Sequence, residues 1–298
     1  MKFIRLLILL LRRGSIAHKP FDFEANRQKN IDASYFPTNK KVKTKSRLKQ
    51  YLLNTRVGYG ILSNLAYIKN VSDMNKMYYV SDEKKLTYIR ILKSGSTSVL
   101  KVFLPLIEPN VKDIDFKEDQ IDTLGYYYAK KSLSPQQGEY KKFAIVRDPF
   151  RRIVSVYLDL FDPTAPTFTY ATYWFGVLRQ DMTFKDFVKT ISNIPQALAG
   201  PHVASQTSIL NAADKLRHIS IMKIEDIETV ENFFAEHGMS MLHMNKQSSN
   251  YDYRSYYDPE TLSLVYRLYH DDIELLGYKN KYETLRHFIS VAYGKRTV

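Results

Sequence analysis

The chain has no cysteine at all. Disulfides and thiolate-held metal sites are therefore excluded. Because secreted and lumenal proteins more often carry bridges, the absence predicts a cytoplasmic location, with a Golgi lumen as the alternative. Long apolar runs are missing too. The run that opens at Met1 and reaches Leu11 is interrupted by Lys2 and Arg5 and closed by Arg12-Arg13, whereas crossing a bilayer takes about 20 apolar residues. With no small-residue cleavage site close behind, it reads poorly as a signal peptide. Two readings stay open for it: a short helix lying on an anionic membrane surface, which would put the protein at the inner membrane face, or a helix packed on the body of the protein. Acidic residues are scarce only locally. Residues 1–70 hold 15 Lys and Arg against 3 Asp and Glu, and the remainder holds 29 against 28. The formal net charge of +13 thus belongs to an N-terminal arm rather than to the body. The sequence shows no internal repeat, no recognised nucleic-acid motif and no Gly-x-x-x-x-Gly-Lys-Ser/Thr loop. Nucleic acid is accordingly not an expected partner, and a Walker-type NTPase is disfavoured.

What is present suits a folded α/β enzyme. The 298 residues, 44% of them hydrophobic, can bury a sizeable core. Residues 12–50 are rich in Lys, Asn, Ser and Pro and read as a solvated linker. The domain division expected is a basic arm over 1–70 and a catalytic domain over 71–298. Apolar runs at Leu86–Leu92, Phe143–Val146 and His218–Ile224 predict buried strands. Helical patterns cover Thr97–Ile107, Arg151–Phe161, a stretch capped by Thr183 that runs to Ile191, Glu228–His237, Pro259–Leu276 and Glu283–Tyr293. Gly238, Gly277 and Gly294 stand where the last three should close. Strands alternating with helices imply a largely parallel sheet covered on both faces, with ligands bound where strands end and helices begin.

Two strand-to-helix turns carry the chemistry. The first is Lys93-Ser94-Gly95-Ser96-Thr97-Ser98. Gly95 permits close backbone approach, the three hydroxyl residues add donors, the helix start offers free N–H groups, and Lys93 supplies a mobile charge. The second runs from Arg147-Asp148-Pro149 through Arg152 and Ser155 to Tyr157. Pro149 suits a first helical turn, and a guanidinium fork at Arg147 with the Ser155 hydroxyl makes a clamp for another phosphate. Taken alone, either turn could be an ordinary polar loop or a capped helix bearing surface arginines.

The first turn resembles the 5′-phosphosulfate loop of sulfotransferases that use 3′-phosphoadenosine 5′-phosphosulfate (PAPS). The second resembles their 3′-phosphate motif, Arg-Asp-Pro-x-x-Arg-x-x-Ser-x-Tyr, and matches it at every fixed position. The likeness continues through Phe184-Lys185-Asp186-Phe187-Val188, His202-x-x-x-Gln206, Lys223-Ile224-Glu225-Asp226-Ile227, Asn245, and the tail from Tyr257-Asp258-Pro259 to Gly277-Tyr278. This is the pattern of the carbohydrate branch, the Golgi-type and bacterial members, over roughly residues 75–280. Leu92 stands in place of the usual proline and Ser96 where lumenal members commonly have cysteine. The resemblance implies a three-layer α/β fold, P-loop-like, with a mainly parallel sheet and flanking helices. It implies PAPS as donor and a carbohydrate hydroxyl as acceptor. It places Lys93 on the bridging oxygen of the donor, Gly95, Ser96, Thr97 and Ser98 around the 5′-phosphate, and Arg147 and Ser155 around the 3′-phosphate. No metal is called for. His202 is the favoured base for the acceptor hydroxyl, with Glu118 and Asp119 as rivals; Arg152 either orients the second loop or is structural, and Glu225 helps order the fold. The competing readings are a kinase- or NTPase-like nucleotide enzyme and a non-enzymatic module that binds anionic polymers or membranes through the arm.

Overall fold

The computed structural model describes residues 71–73, 75–111, 117–161, 178, 181–240 and 251–294. The basic arm, its Met1–Leu11 run, the 12–50 linker and Asn245 lie outside the described residues, as do the side chains of Glu118 and Asp119. In chain order the elements are β1 (Tyr78–Ser81), β2 (Leu86–Ile89), α1 (Ser96–Ile107), α2 (Glu118–Tyr128), α3 (Pro135–Gly138), β3 (Lys141–Val146), α4 (Pro149–Phe161), α5 (Phe184–Ile191), α6 (Gln206–Ala213), β4 (Ile219–Lys223), α7 (Ile227–Glu236), α8 (Pro259–Leu268), α9 (His270–Leu275) and α10 (Lys279–Gly294).

The sheet has four strands in the order β1-β2-β3-β4. β2, β3 and β4 are parallel, with Tyr88 opposite Phe143 and Ala144 opposite Ile221, while β1 is an antiparallel edge strand that pairs Tyr79 with Tyr88. Side chains alternate across a strand, and β3 shows what this does. Phe143 and Ile145 enter one core with Tyr79, Tyr88, Leu100, Phe103, Leu124 and Phe234, from α1, α2 and α7. Ala144 and Val146 enter the other with Val154, Phe187, Leu210, Val265 and Ile273, from α4, α5, α6, α8 and α9. Helices therefore cover both faces, and the fold is a three-layer α/β domain with a mostly parallel sheet, as the alternating pattern predicts.

Most elements sit within a few residues of the expected ones. Thr183 does cap α5, its hydroxyl accepting the Asp186 N–H at 3.2 Å. Gly238 and Gly277 follow α7 and α9 in the left-handed conformation. Three differences matter. The edge strand β1 was not expected, because Tyr-Tyr-Val-Ser has no alternation to betray it and is buried along its whole length. The strand expected over Leu86–Leu92 leaves the ladder after Ile89, since the chain must turn at Leu92-Lys93 to enter α1. The single helix expected over Pro259–Leu276 breaks at Tyr269, whose backbone leaves the helical region (φ −117°, ψ 28°). Just beyond the break, the buried Asp272 accepts the Gln206 and Thr207 N–H groups at 2.9 and 2.8 Å and so caps α6. At the C-terminal end, α10 begins at Lys279 rather than Glu283 and includes Gly294.

Candidate active site

The first turn leaves β2 and enters α1 through two left-handed residues, Lys93 (φ 66°) and Gly95 (φ 72°). Glycine accepts that conformation freely. A lysine does not, and strain of this kind persists only where the surroundings enforce it. Here they do. The carbonyl of Leu92 accepts from Arg152 Nε at 3.0 Å, the carbonyl of Lys93 accepts from Arg147 Nη1 at 3.1 Å, and the buried Ser94 hydroxyl donates to Gln206 Oε1 at 3.3 Å. Ser96, Thr97 and Ser98 form the first turn of α1, where N–H groups lack intrahelical acceptors and the dipole's positive end favours an anion. The Thr97 hydroxyl is also tied to Asp122 of α2 at 3.1 Å. The same Asp122 oxygen pairs with the buried Arg90 guanidinium at the end of β2. These contacts hold α2 against the turn.

The second turn leaves the neighbouring parallel strand. Pro149 opens α4, and the Phe150 N–H donates to Asp148 Oδ1 at 2.9 Å. Asp148 is fully buried, and burial pushes its carboxyl up to about 6; Glu225 adds to this, while the Phe150 N–H and Arg151 oppose it. Glu225 accepts from the Asp148 N–H at 2.8 Å and from the Tyr278 hydroxyl at 3.1 Å, so it orders this turn.

The two turns are joined by one side chain. Gln206, fully buried at the start of α6, accepts the Arg147 N–H at 2.9 Å and donates to the Arg147 carbonyl at 2.8 Å, while its Oε1 also accepts from Ser94. Lys93 and Arg147, 54 residues apart in sequence, thus end adjacent strands side by side.

One face of α4 completes the site. Arg152, Ser155 and Asp159 are spaced by three and four residues and share it. Of the two neighbouring arginines of α4, Arg151 is exposed and lies over the Tyr253 ring, whereas Arg152, expected either to be structural or to orient the second loop, is buried. Its guanidinium donates to three carbonyls, those of Leu92 (3.0 Å), Pro201 (3.1 Å) and Ala204 (3.0 Å). One planar fork therefore fixes the residue before Lys93 against the residue before His202. Asp159 Oδ1 lies 3.3 Å from Lys93 Nζ. His202, partly buried in the loop before α6, is driven down to about 4, chiefly by burial; Lys93, Arg152 and Arg90 push the same way and Asp159 opposes them. Burial therefore favours its neutral form and at the same time lowers its basicity.

Paired anion-binding turns of this kind can grip a ligand with negative charge at two points. The profile of the sulfotransferase family matches residues 76–279, more than half of the chain and the whole span that holds both turns. The chain belongs to the sulfotransferase family. No curated protein and no solved structure matches it. As a sulfotransferase it moves a sulfuryl group, and the residues that sequence reasoning selected (Lys93, Gly95, Ser96, Thr97, Ser98, Arg147, Ser155 and His202) fall on two helix starts, the α4 face between Arg152 and Asp159, and the loop that Arg152 ties down. Three neighbours of these residues were not singled out. Asp159 stands four residues after Ser155, a helical spacing that could have flagged it. Asp122 and Asp272 carry no local signal, because both arrive from distant elements.

Proposed function

We propose that this sulfotransferase takes its sulfuryl group from PAPS and delivers it to a hydroxyl of a carbohydrate, a polysaccharide or a glycolipid oligosaccharide. The observation that carries the reading is the 3.1 Å contact between Arg147 Nη1 and the Lys93 carbonyl, braced by Gln206. It sets two cation-bearing helix starts side by side. PAPS carries phosphate at both ends of its ribose, so the residues present fit it: a lysine with free helix N–H groups in one turn, an arginine beside a serine-bearing helix face in the other. The donor supplies an activated sulfuryl group.

The chain's own residues do the rest. The turn Gly95–Ser98 holds the 5′-phosphate through backbone N–H groups at a dipole's positive end. Arg147, with Ser155 on the adjoining face, holds the 3′-phosphate through charge-assisted bonds. Lys93 would stabilise the negative charge that develops on the donor's leaving oxygen during transfer, where a nearby cation is most effective. His202 takes the proton of the acceptor hydroxyl, and Arg152 keeps its loop in register with Lys93. Support for a carbohydrate acceptor comes from the motif pattern between Phe184 and Tyr278.

Residues 71–298 form the catalytic domain in this reading. The basic arm makes peripheral contact with the cytoplasmic membrane face, where the acceptor is assembled; among the described residues no helix is long and apolar enough to cross a membrane.

Calorimetry with 3′,5′-bisphosphoadenosine against ATP tests the donor, and preference for ATP would refute it in favour of a kinase-like enzyme. Lys93→Ala is expected to lower turnover by about 100-fold or more, measured with labelled PAPS on an acceptor panel. Near-normal transfer by that variant would remove Lys93 from the mechanism, and an unchanged kcat in His202→Ala would remove the base.

A further inference from the structure

Asp159 is an oddity in a site built for anions. A carboxylate there repels phosphate, and a partly exposed ion pair contributes little to stability. Yet it sits 3.3 Å from Lys93 Nζ, with both side chains about a quarter exposed (22% and 26%). It shares its helix face with Arg152, three and four residues either side of Ser155, and Arg152 is fastened to the carbonyl just before Lys93. The helix cannot drift from the turn, so Asp159 is a fixed partner. Lys93, by contrast, carries its charge on a flexible four-carbon stem. Around His202, Asp159 is the acidic group set against Lys93, Arg152 and Arg90, of which Arg90 is already paired with Asp122.

We propose that Asp159 is a latch on the transfer lysine: it holds the Lys93 ammonium while the donor site is open, yields it to an incoming anion, and reclaims it after transfer so that the bisphosphate product leaves. The ion pair and the lysine–phosphate contact are mutually exclusive uses of one ammonium. Asp159 thus weakens product binding in order to quicken release, a role for a positioning residue that touches the lysine and not the acceptor. The proposal rests on reading Lys93 as the donor-site lysine.

The test is calorimetric titration of 3′,5′-bisphosphoadenosine into the full chain as wild type, Asp159→Asn, Lys93→Ala and the double variant, at low ionic strength. Asp159→Asn is expected to tighten binding by about 3- to 10-fold, chiefly through loss of the competitor for the Lys93 ammonium, with relief of the carboxylate–phosphate repulsion as the smaller part. In the Lys93→Ala background only that residual repulsion is left to relieve, so the same change should yield less than about 2-fold. Turnover of Asp159→Asn should fall while inhibition by 3′,5′-bisphosphoadenosine strengthens. Asp159→Ser repeats the comparison with a smaller side chain and should rank the same way, with thermal unfolding confirming that each variant is folded. Equal or weaker binding by Asp159→Asn overturns the latch, as does a gain of the same size in both backgrounds, which would mark a general charge effect. Failure of the wild type to bind 3′,5′-bisphosphoadenosine would instead overturn the parent reading, and the latch with it.

Discussion

Replacing Gln206 with leucine cuts the brace between the two turns while keeping a similar side-chain volume. Gln206 is fully buried and its side chain makes three hydrogen bonds: two of good length to the main chain of Arg147 (2.9 and 2.8 Å) and a weaker one from Ser94 (3.3 Å). Each bond contributes about 1 kcal/mol net, but a partner left buried and unsatisfied costs about 1–3 kcal/mol. Arg147 is partly exposed, so water can recover some of its loss, whereas the Ser94 hydroxyl is sealed in. A stability loss of about 3 kcal/mol follows, which for a domain of this size lowers Tm by about 6–12 °C. Affinity for 3′,5′-bisphosphoadenosine should fall by about 10-fold or more, because the register of the two anion sites is no longer enforced and misplaced groups lose much of their effect. Thermal unfolding and calorimetry on the same preparations measure both. Gln206→Glu discriminates further, since it keeps the acceptor for the Arg147 N–H but sets an oxygen against the Arg147 carbonyl; it should be no better than leucine at pH 8 and partly recover as the carboxyl protonates. A Gln206→Leu protein with Tm and affinity both unchanged would show that the strands, with the Arg147 and Arg152 contacts to the first turn, hold the two turns in place without it, and the argument from the Gln206 brace would fail.

The strain at Lys93 makes another expectation. Its φ of 66° is one that glycine adopts without penalty, so Lys93→Gly should be more stable than Lys93→Ala by about 1 kcal/mol in urea titrations, although both lose transfer activity. Equal stability would mean the turn relaxes once the lysine is gone. A third expectation concerns pH. Burial holds Asp148 up to about 6, against 3.8 for a free aspartate. Between those values the folded state keeps a proton that the unfolded chain releases, so this group's stabilising contribution is full below about 4, declines as pH rises through the window, and is constant above it. The difference amounts to about 3 kcal/mol. Asp148→Asn should erase that slope and gain most above pH 6, and parallel stability–pH curves for the two proteins would refute it.

Several features were legible without coordinates because they are local. The hydrophobic runs of β2 and β3, the helix starts at Gly95 and Pro149, and the Thr183 cap all depend on residues within a few positions of one another. Features that close over long separations were not. The antiparallel strand β1 exists because Tyr78–Ser81 finds Leu86–Ile89 across a short turn of four charged residues, and nothing in Tyr-Tyr-Val-Ser demands it. The long helix expected at Pro259–Leu276 has an unbroken apolar pattern; its break at Tyr269 accompanies contacts to the region around α6, where the Tyr269 hydroxyl meets the Val203 carbonyl at 2.9 Å and Asp272 meets the helix start. Arg152 reads in the sequence as a structural residue or a loop-orienting one, and its burial with three carbonyl acceptors on two different loops shows how it ties them together.

The sequence by itself determined which groups this sulfotransferase carries and which turns present them, because strand, turn and helix start are written within a dozen residues at each site. Only the tertiary structure decided that Lys93 and Arg147 end neighbouring parallel strands, that Gln206 and Arg152 lock them and the His202 loop into one frame, and that Asp159 faces the lysine. Those relations join residues some 50 to 110 positions apart. They are set by how helices pack on the two faces of a sheet, a property of the whole core rather than of any one segment.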